Sequence, residues 1–139
     1  MKLLDTNVII YAVGRPHRYK RACARLIRDV SDDSVDFNVD AELLQEVLHV
    51  YTFRGERPLG LTVCEKVLSL FPSVLPVGRD EIVVARQLMV RYPQLLPRDA
   101  IHAAAVQTNR LEGIVSADRV FDTIQGLVRF DPLVLYPDA

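Results

Sequence analysis

Short apolar runs alternate with longer helical patterns along the whole chain, and this alternation most limits the fold. The first predicted strand covers residues 2–5, and further strands are predicted within 33–39 and 112–118 and at 73–77 and 126–131. No hairpin signal joins two of these runs directly. Strands separated by helices pair in parallel, and helices then cover both faces of the sheet. The sequence therefore predicts an α/β fold of three layers, α/β/α, around a central and mainly parallel sheet.

Six helices are predicted from apolar periodicity and from turn-forming residues at their ends. Their ranges are 6–13, 17–30, 40–53, 61–71, 79–92 and 97–111. Asp40 is the predicted N-cap of the third helix, and Pro97 occupies the first turn of the last, where proline is tolerated. The 139 residues are half hydrophobic and contain no repeat or linker. We therefore expect a single domain over residues 1–139.

Composition excludes several classes of protein. No apolar run approaches the roughly 20 residues that cross a bilayer, and the first residues do not resemble a signal peptide. Cys23 and Cys64 lack the spacing of a zinc site or a disulfide framework, so both are expected to be buried thiols. The expected location is the cytoplasm, with no membrane partner.

Three acids lie where the parallel-sheet pattern would bring side chains together. Asp5 ends the first strand, Asp118 follows the strand at 112–118, and Asp99 lies in the first turn of an alanine-rich helix. Each alone could serve a turn or a helix end. Because ligands of open α/β sheets bind beyond the carboxyl ends of the strands, the three together indicate a site.

A fourth acid is expected from the third helix, which offers Glu42 and Glu46. On a helical wheel Glu46 lies near the apolar edge, beside Val50, whereas Glu42 points further into solvent. A position at that edge can reach a cleft beside the core. Glu46 is therefore the better candidate.

Clustered carboxylates repel one another, and a divalent cation with a preference for oxygen ligands relieves that repulsion. Mg²⁺ or Mn²⁺ bound in this way can activate a water and stabilise charge on a phosphodiester. The sequence has no nucleophile-elbow, P-loop or zinc-protease motif. His102 follows Asp99 by three residues, and a packing or surface role is expected for it.

The net charge is only −1, but its distribution is uneven. Residues 15–28 hold six basic side chains and no acid, and residues 29–46 hold seven acids and no lysine or arginine. A basic helix can contact RNA or a partner protein, and it can equally be a solvated face. The candidate contact residues are Arg18, Lys20, Arg21, Arg25 and Arg28.

Four segments that contain the candidate acids follow one another along the chain: "LLDTNVIIYA", "LLQEVLHV", "PRDAIHAAAV" and "IVSAD" followed by "RVFD". They resemble the motifs of one known family, the PIN-domain ribonucleases, and they occur in that family's order. The short chain resembles the VapC-type toxins of toxin–antitoxin pairs. This resemblance spans nearly the whole sequence.

The resemblance implies a metal-dependent endoribonuclease that cleaves single-stranded RNA, often within structured RNAs such as tRNA. Asp5, Glu46, Asp99 and Asp118 match the family's metal-binding and catalytic acids. Thr6 and Asn7 match its supporting polar residues, and Asp122, one turn beyond Asp118, could assist or replace it. The implied cofactor is Mg²⁺ or Mn²⁺, and the implied partners are RNA, a cognate antitoxin and a second copy of the chain.

Two other classes of protein remain open from the sequence alone. A phosphotransfer receiver domain or a haloacid-dehalogenase-type phosphatase is also an α/β protein with clustered acids. The chain has Asn7 where the phosphatase pattern needs a second acid, and its last lysine, Lys66, is too early for a receiver. The other class is a non-catalytic module that binds RNA or an antitoxin.

Overall fold

Four short strands form one parallel sheet in a computed structural model that describes all 139 residues. The strands are β1 (Lys2–Leu4), β2 (Phe37–Asn38), β3 (Ile114–Val115) and β4 (Arg129–Phe130). Their order across the sheet is β2-β1-β3-β4, and every neighbouring pair is parallel. The predicted parallel sheet is therefore confirmed, with β1 and β3 at its centre.

Seven α-helices and one 3₁₀-helix connect and flank the strands. The α-helices are α1 (Thr6–Val13), α2 (Lys20–Ser31), α3 (Ala41–Phe53), α4 (Arg57–Leu70), α5 (Arg79–Arg91), α6 (Pro97–Thr108) and α7 (Pro132–Leu135). The 3₁₀-helix covers Arg119–Thr123. None of the helices is both long and apolar enough to span a membrane.

Two hydrophobic cores lie on opposite faces of the sheet, because successive side chains of a strand point to opposite sides. Leu4 and Val115 belong to the core formed with α1 to α4, and Leu3 and Ile114 belong to the core formed with α5 and α6. This division produces the predicted α/β/α layers. Four alanines of α6 are buried, which allows that helix to lie close to β1 and β3.

One predicted strand is wrong. Residues 73–77 form a single parallel bridge, between Leu75 and Asp40, and do not join the sheet. Both hydrogen bonds of this bridge use Leu75, whose N–H donates to Val39 and whose carbonyl accepts from Ala41. The next residue, Pro76, has no N–H with which to extend the ladder.

Several helix ends also differ from the prediction. Helix α4 begins at Arg57, before the predicted residue 61, because Pro58 is compatible with a first turn. Helix α6 ends at Thr108, and Arg110 adopts a left-handed φ of 53° that stops it. Helix α2 begins only at Lys20, so His17 lies in the preceding loop. The short helix α7 was not predicted.

Candidate active site

Asp5 lies at the point where β1 ends and α1 begins, and its carboxylate is almost completely buried. One oxygen accepts a hydrogen bond from the Thr6 N–H at 2.7 Å, which caps α1. The other accepts from the Ser116 hydroxyl at 2.6 Å and from the Asn7 amide at 3.1 Å. Burial raises the pKa of Asp5, and His102 and Ser116 partly oppose this effect.

Asn7 connects the beginning of α1 to the end of β3. Its amide donates to the Ser116 hydroxyl at 3.2 Å as well as to Asp5, and its oxygen accepts from the Ala117 N–H at 3.5 Å. Thr6 is also buried, and its hydroxyl lies 3.4 Å from Nε2 of His102. Both residues therefore contact the groups that surround the Asp5 carboxylate, as a supporting role requires.

His102 lies at the centre of a buried group of acids, where the sequence favoured a packing or surface role. It is completely buried on α6. Its Nδ1 lies 2.7 Å from Asp40 Oδ2, and its Nε2 lies 3.1 Å from Glu46 Oε1 and 3.6 Å from Asp5 Oδ1. Because both ring nitrogens face carboxylates, the doubly protonated ring fits this environment best.

The charge of His102 follows from two opposing influences. Burial, the largest influence, lowers the pKa of the ring, but the carboxylates of Asp40, Glu46 and Asp5 together raise it well above 6.5. An imidazolium in this position partly compensates buried negative charge. The four side chains form an ionic network, which we call the buried network: Asp5, Asp40, Glu46 and His102.

Asp40 has two functions in this structure, and the sequence predicted one of them. Its Oδ1 accepts from the Leu43 N–H at 3.0 Å, which confirms the predicted N-cap of α3. Its Oδ2 contacts His102. The only sequence signal for this second function is that Asp40 and His102 both lie near predicted site acids, and the sequence does not show that they meet.

Glu46, and not Glu42, takes part in the buried network. Glu46 lies in the middle of α3, and its carboxylate reaches His102 from there. Glu42 lies one turn earlier and is partly buried, so that its pKa is raised. The contact with His102 agrees with the choice of Glu46 from the helical wheel.

Asp99 and Asp118 lie on the outer side of Asp5. Burial raises the pKa of Asp99 to about 6, and the carboxylates of Asp5 and Asp118 contribute further to this increase. Asp118 is exposed and caps the 3₁₀-helix through the Val120 N–H at 2.9 Å. Its own N–H donates to the Ser116 hydroxyl that binds Asp5. We call Asp99 and Asp118 the outer acids.

Asp122 belongs to a different contact. Both of its carboxylate oxygens bind the Arg129 guanidinium, at 2.9 and 3.1 Å. Arg129 also donates to the Ser116 carbonyl oxygen at 3.0 Å and approaches Asp131 at 3.5 Å. Asp122 would have to leave this bidentate pair in order to act as a metal ligand.

The five basic residues proposed for contacts with RNA or a partner are not equivalent. Arg25 pairs with Asp29 at 3.3 Å, and the Lys20 ammonium binds the Gly14 carbonyl oxygen. Arg18 lies over the ring of Tyr19. Arg21 and Arg28 are exposed and form no ion pair within the chain. Only part of the basic helix is therefore free of internal partners.

The acids fit a divalent cation by their chemistry, although no three His, Cys, Asp or Glu side chains are arranged to hold a metal ion in this conformation. Asp5 is desolvated, and its carboxylate and that of Asp118 increase the proton affinity of Asp99. Mg²⁺ and Mn²⁺ prefer oxygen ligands, and a cation among these carboxylates would relieve their mutual repulsion. Asp5 and Glu46 lie against His102 instead.

Comparison with known proteins identifies the family. The PIN domain family matches residues 2–127. Ribonuclease VapC13 of Mycobacterium tuberculosis is 32% identical over 129 residues, which cover 93% of this chain and 98% of that protein. Ribonuclease VapC7 of the same species is 29% identical and covers 95% of this chain and 92% of its own length. The chain therefore belongs to the PIN-domain family.

Solved structures agree with this fold. FitAcB from Neisseria gonorrhoeae superposes with a TM-score of 0.73 at 20% identity, covering 95% of this chain and 98% of its own. VapBC2 from Rickettsia felis, solved with a DNA fragment from its promoter, has a TM-score of 0.71 at 12% identity, covering 93% and 96%. Because the chain belongs to the PIN-domain family, the receiver and phosphatase alternatives are wrong.

Proposed function

We propose that this chain is the ribonuclease toxin of a VapBC-type toxin–antitoxin pair. It hydrolyses phosphodiester bonds in single-stranded or loop RNA, with tRNA-like molecules among the possible targets. Membership of the PIN-domain family and the similarity to VapC ribonucleases support this proposal. The observation that carries it is the convergence of two of the predicted site acids, Asp5 and Glu46, which lie 3.6 and 3.1 Å from Nε2 of His102.

Asp5, Asp99, Asp118 and Glu46 would hold Mg²⁺ or Mn²⁺. With such a cation in place, a water at the site would be activated and negative charge on the phosphodiester would be stabilised. The chain itself keeps the ligands in place: Ser116 and Asn7 orient Asp5, and His102 orients Glu46. Substitution of residues that orient a metal ligand in this way typically costs about 10–100-fold in metal affinity or activity.

The partners follow from the same proposal. Similar structures include a toxin–antitoxin complex from Klebsiella pneumoniae, with a TM-score of 0.65. We propose an antitoxin as the partner that silences this chain, and a second copy of the chain as a further partner. The cytoplasmic location remains a prediction from the sequence.

Cleavage of a total-RNA pool by the purified protein tests the function directly. Discrete cuts are expected with Mn²⁺ or Mg²⁺, and end sequencing of the products would identify the target. The cuts should disappear in EDTA and with Asp5→Asn, which removes a ligand charge with little change of shape. Asp32→Asn, at an exposed acid outside the site, is the matched control and should cleave normally.

Thermal unfolding followed by circular dichroism would show that Asp5→Asn is folded. Full cleavage by folded Asp5→Asn protein would contradict the mechanism. A folded wild-type protein that binds RNA but does not cut it with either metal would favour the non-catalytic module.

A further inference from the structure

Three aromatic rings form a cluster where α1 meets the loop before α2. The rings of Tyr11 and His17 are stacked almost in parallel, with centroids 4.2 Å apart and an angle of 7° between their planes. The Tyr19 ring lies 5.6 Å from Tyr11 and 5.8 Å from His17. Tyr11 and Tyr19 are partly buried, whereas His17 is exposed. We call these three residues the aromatic cluster.

Two chains of contacts connect the aromatic cluster to the residues around Asp5. Tyr11 follows Asn7 by four residues on α1, so both lie on one helix face about 6 Å apart along the axis. Asn7 contacts Asp5. The second connection starts at Tyr19, whose hydroxyl donates to Asp131 at 3.3 Å. Asp131 in turn contacts Arg129, which binds the Ser116 carbonyl oxygen.

A cavity of about 720 Å³ opens beside the aromatic cluster and is lined in part by Tyr11, His17, Arg15 and Arg54. Its volume is within the range of roughly 300–1,000 Å³ that is typical of small-ligand sites. The lining contains one acid, Glu56. The two arginines form no ion pair within the chain, so their charge is available to an anion.

Stacked aromatic rings beside free arginines are the combination that binds single-stranded nucleic acids. Bases stack on aromatic faces, and arginines contact the phosphates. The candidate active site needs such contacts from its surroundings, because its carboxylates repel the RNA backbone unless a cation neutralises them. Structural contacts account for Tyr19, whose hydroxyl binds Asp131, and for Nδ1 of His17, which accepts the Tyr19 N–H. These contacts do not require an exposed aromatic ring at position 17.

We propose that the Tyr11–His17 stack and the adjoining arginines, Arg15 and Arg54, bind the base and phosphate of a nucleotide that flanks the cleaved bond in single-stranded RNA. This inference rests on the proposed function and adds a binding site for the substrate. The base lies against the exposed His17 ring, and the arginines at the cavity receive the phosphate. Recognition through stacking tolerates different bases, so the site contributes affinity more than sequence preference.

Fluorescence anisotropy in EDTA would measure this binding without any cleavage. The probes are a fluorescein-labelled, random-sequence single-stranded RNA of twelve nucleotides and an abasic ribose–phosphate chain of the same length and charge. His17→Asn removes the ring but leaves a side-chain oxygen to accept the Tyr19 N–H that His17 Nδ1 accepts. His17→Phe keeps an aromatic ring without that acceptor.

His17→Asn should weaken binding of the RNA about tenfold and leave binding of the abasic probe unchanged, because stacking involves only the base. His17→Phe should remain within about twofold of the wild type on the RNA. Arg54→Gln should weaken binding of both probes and reduce the slope of log affinity against log salt by about 0.7, the value for one phosphate contact on a single strand. His49→Asn, at an exposed histidine that stacks on Phe53, is the matched control and should change neither affinity.

Equal affinity of His17→Asn and wild-type protein for the RNA would overturn the inference, even if the variant lost binding to an antitoxin. An equal loss on both probes would also overturn it, because no base would then be stacked. Binding in EDTA does not depend on catalysis. A protein that cleaves RNA but is insensitive to the His17 changes would therefore contradict this inference and leave the proposed function in place.

Discussion

The buried network and the outer acids share Asp5 as a neighbour, but their charges are compensated in different ways. In the buried network, the ring of His102 lies between Asp40 and Glu46, so positive and negative groups alternate inside the protein. The outer acids have no basic side chain in contact, and Asp99 retains a proton up to a pH of about 6. The comparison indicates that the buried network keeps its shape without a ligand. The outer acids, in contrast, repel one another and Asp5, and a cation would relieve that repulsion.

Removal of His102 should have the largest effect on the free energy of unfolding, because it takes the only positive charge out of the buried network. His102→Ala leaves Asp40 completely buried without its ionic partner. Loss of one partner from a buried ion pair costs about 3–5 kcal/mol, and urea unfolding of metal-free protein should show a decrease of this size in the free energy of unfolding. The double variant His102→Ala/Asp40→Asn tests whether the loss of stability comes from this ion pair. Its free energy of unfolding should decrease by less than the sum of the decreases in the two single variants, whereas strict additivity would mean that the pair is not coupled.

Asp99→Asn should have the opposite effect on stability and a large effect on activity. Removal of one of the repelling carboxylates should raise the free energy of unfolding of metal-free protein at pH 7 by about 1–2 kcal/mol, a value already reduced for partial solvent exposure. Loss of a ligand should lower cleavage by more than the roughly 10–100-fold typical of residues that only orient ligands. Urea unfolding and an RNA-cleavage assay measure the two effects. If Asp99→Asn protein were less stable than the wild type and still cleaved RNA, the contrast between the buried network and the outer acids would be contradicted.

The stability difference between wild type and Asp99→Asn should also depend on pH. The pKa of Asp99 rises from 3.8 to about 6 on folding, so the folded wild type binds more protons than the unfolded chain between these values. The wild type therefore has its full stability from this group below a pH of about 3.8 and loses it as the pH rises through 6. The advantage of Asp99→Asn should be small at low pH and reach its full size above 6. A difference that is constant across pH 4–7 would contradict the raised pKa.

The affinity for a metal ion should also depend on the protonation of Asp99. A proton on Asp99 competes with the cation, so the affinity for Mn²⁺ should fall as the pH is lowered through about 6. Isothermal titration calorimetry at several pH values measures this directly. Asp99→Asn protein should bind Mn²⁺ more weakly and show less of this pH dependence.

The positions of Asp5 at a strand end and of Asp40 at a helix start were predictable from sequence because local rules determine them. Asp5 follows a short apolar strand, and Asp40 precedes a strongly periodic helix, so strand and cap patterns locate both. The contact between Asp40 and His102 joins residues that are 62 positions apart. Only the packing of α6 against α3 brings them together, and no periodicity encodes it.

The same distinction explains the wrong strand and the aromatic cluster. Residues 73–77 have the apolar composition of a strand, but a strand also needs a neighbour with free hydrogen-bonding groups, which composition does not reveal. Tyr11 was predicted on a helix, and its stacking on His17 depends on the path of the loop after Gly14. Backbone paths through loops follow from tertiary contacts, so this site could not be predicted from the residues alone.

Asp122→Asn should have the smallest effect and defines the boundary of the outer acids. The Asp122 carboxylate is exposed and bound at both oxygens by Arg129, and exposed ion pairs contribute little, so cleavage should remain within about twofold of the wild type. Cleavage by Asp122→Asn and Asp99→Asn proteins, measured in parallel with Mn²⁺, separates the two acids. If Asp122→Asn loses as much activity as Asp99→Asn, the bidentate pair opens when metal binds and Asp122 is a ligand. If it cleaves normally, Asp122 is not needed as a ligand, and Arg129 supports the Ser116 carbonyl oxygen without help from Asp122.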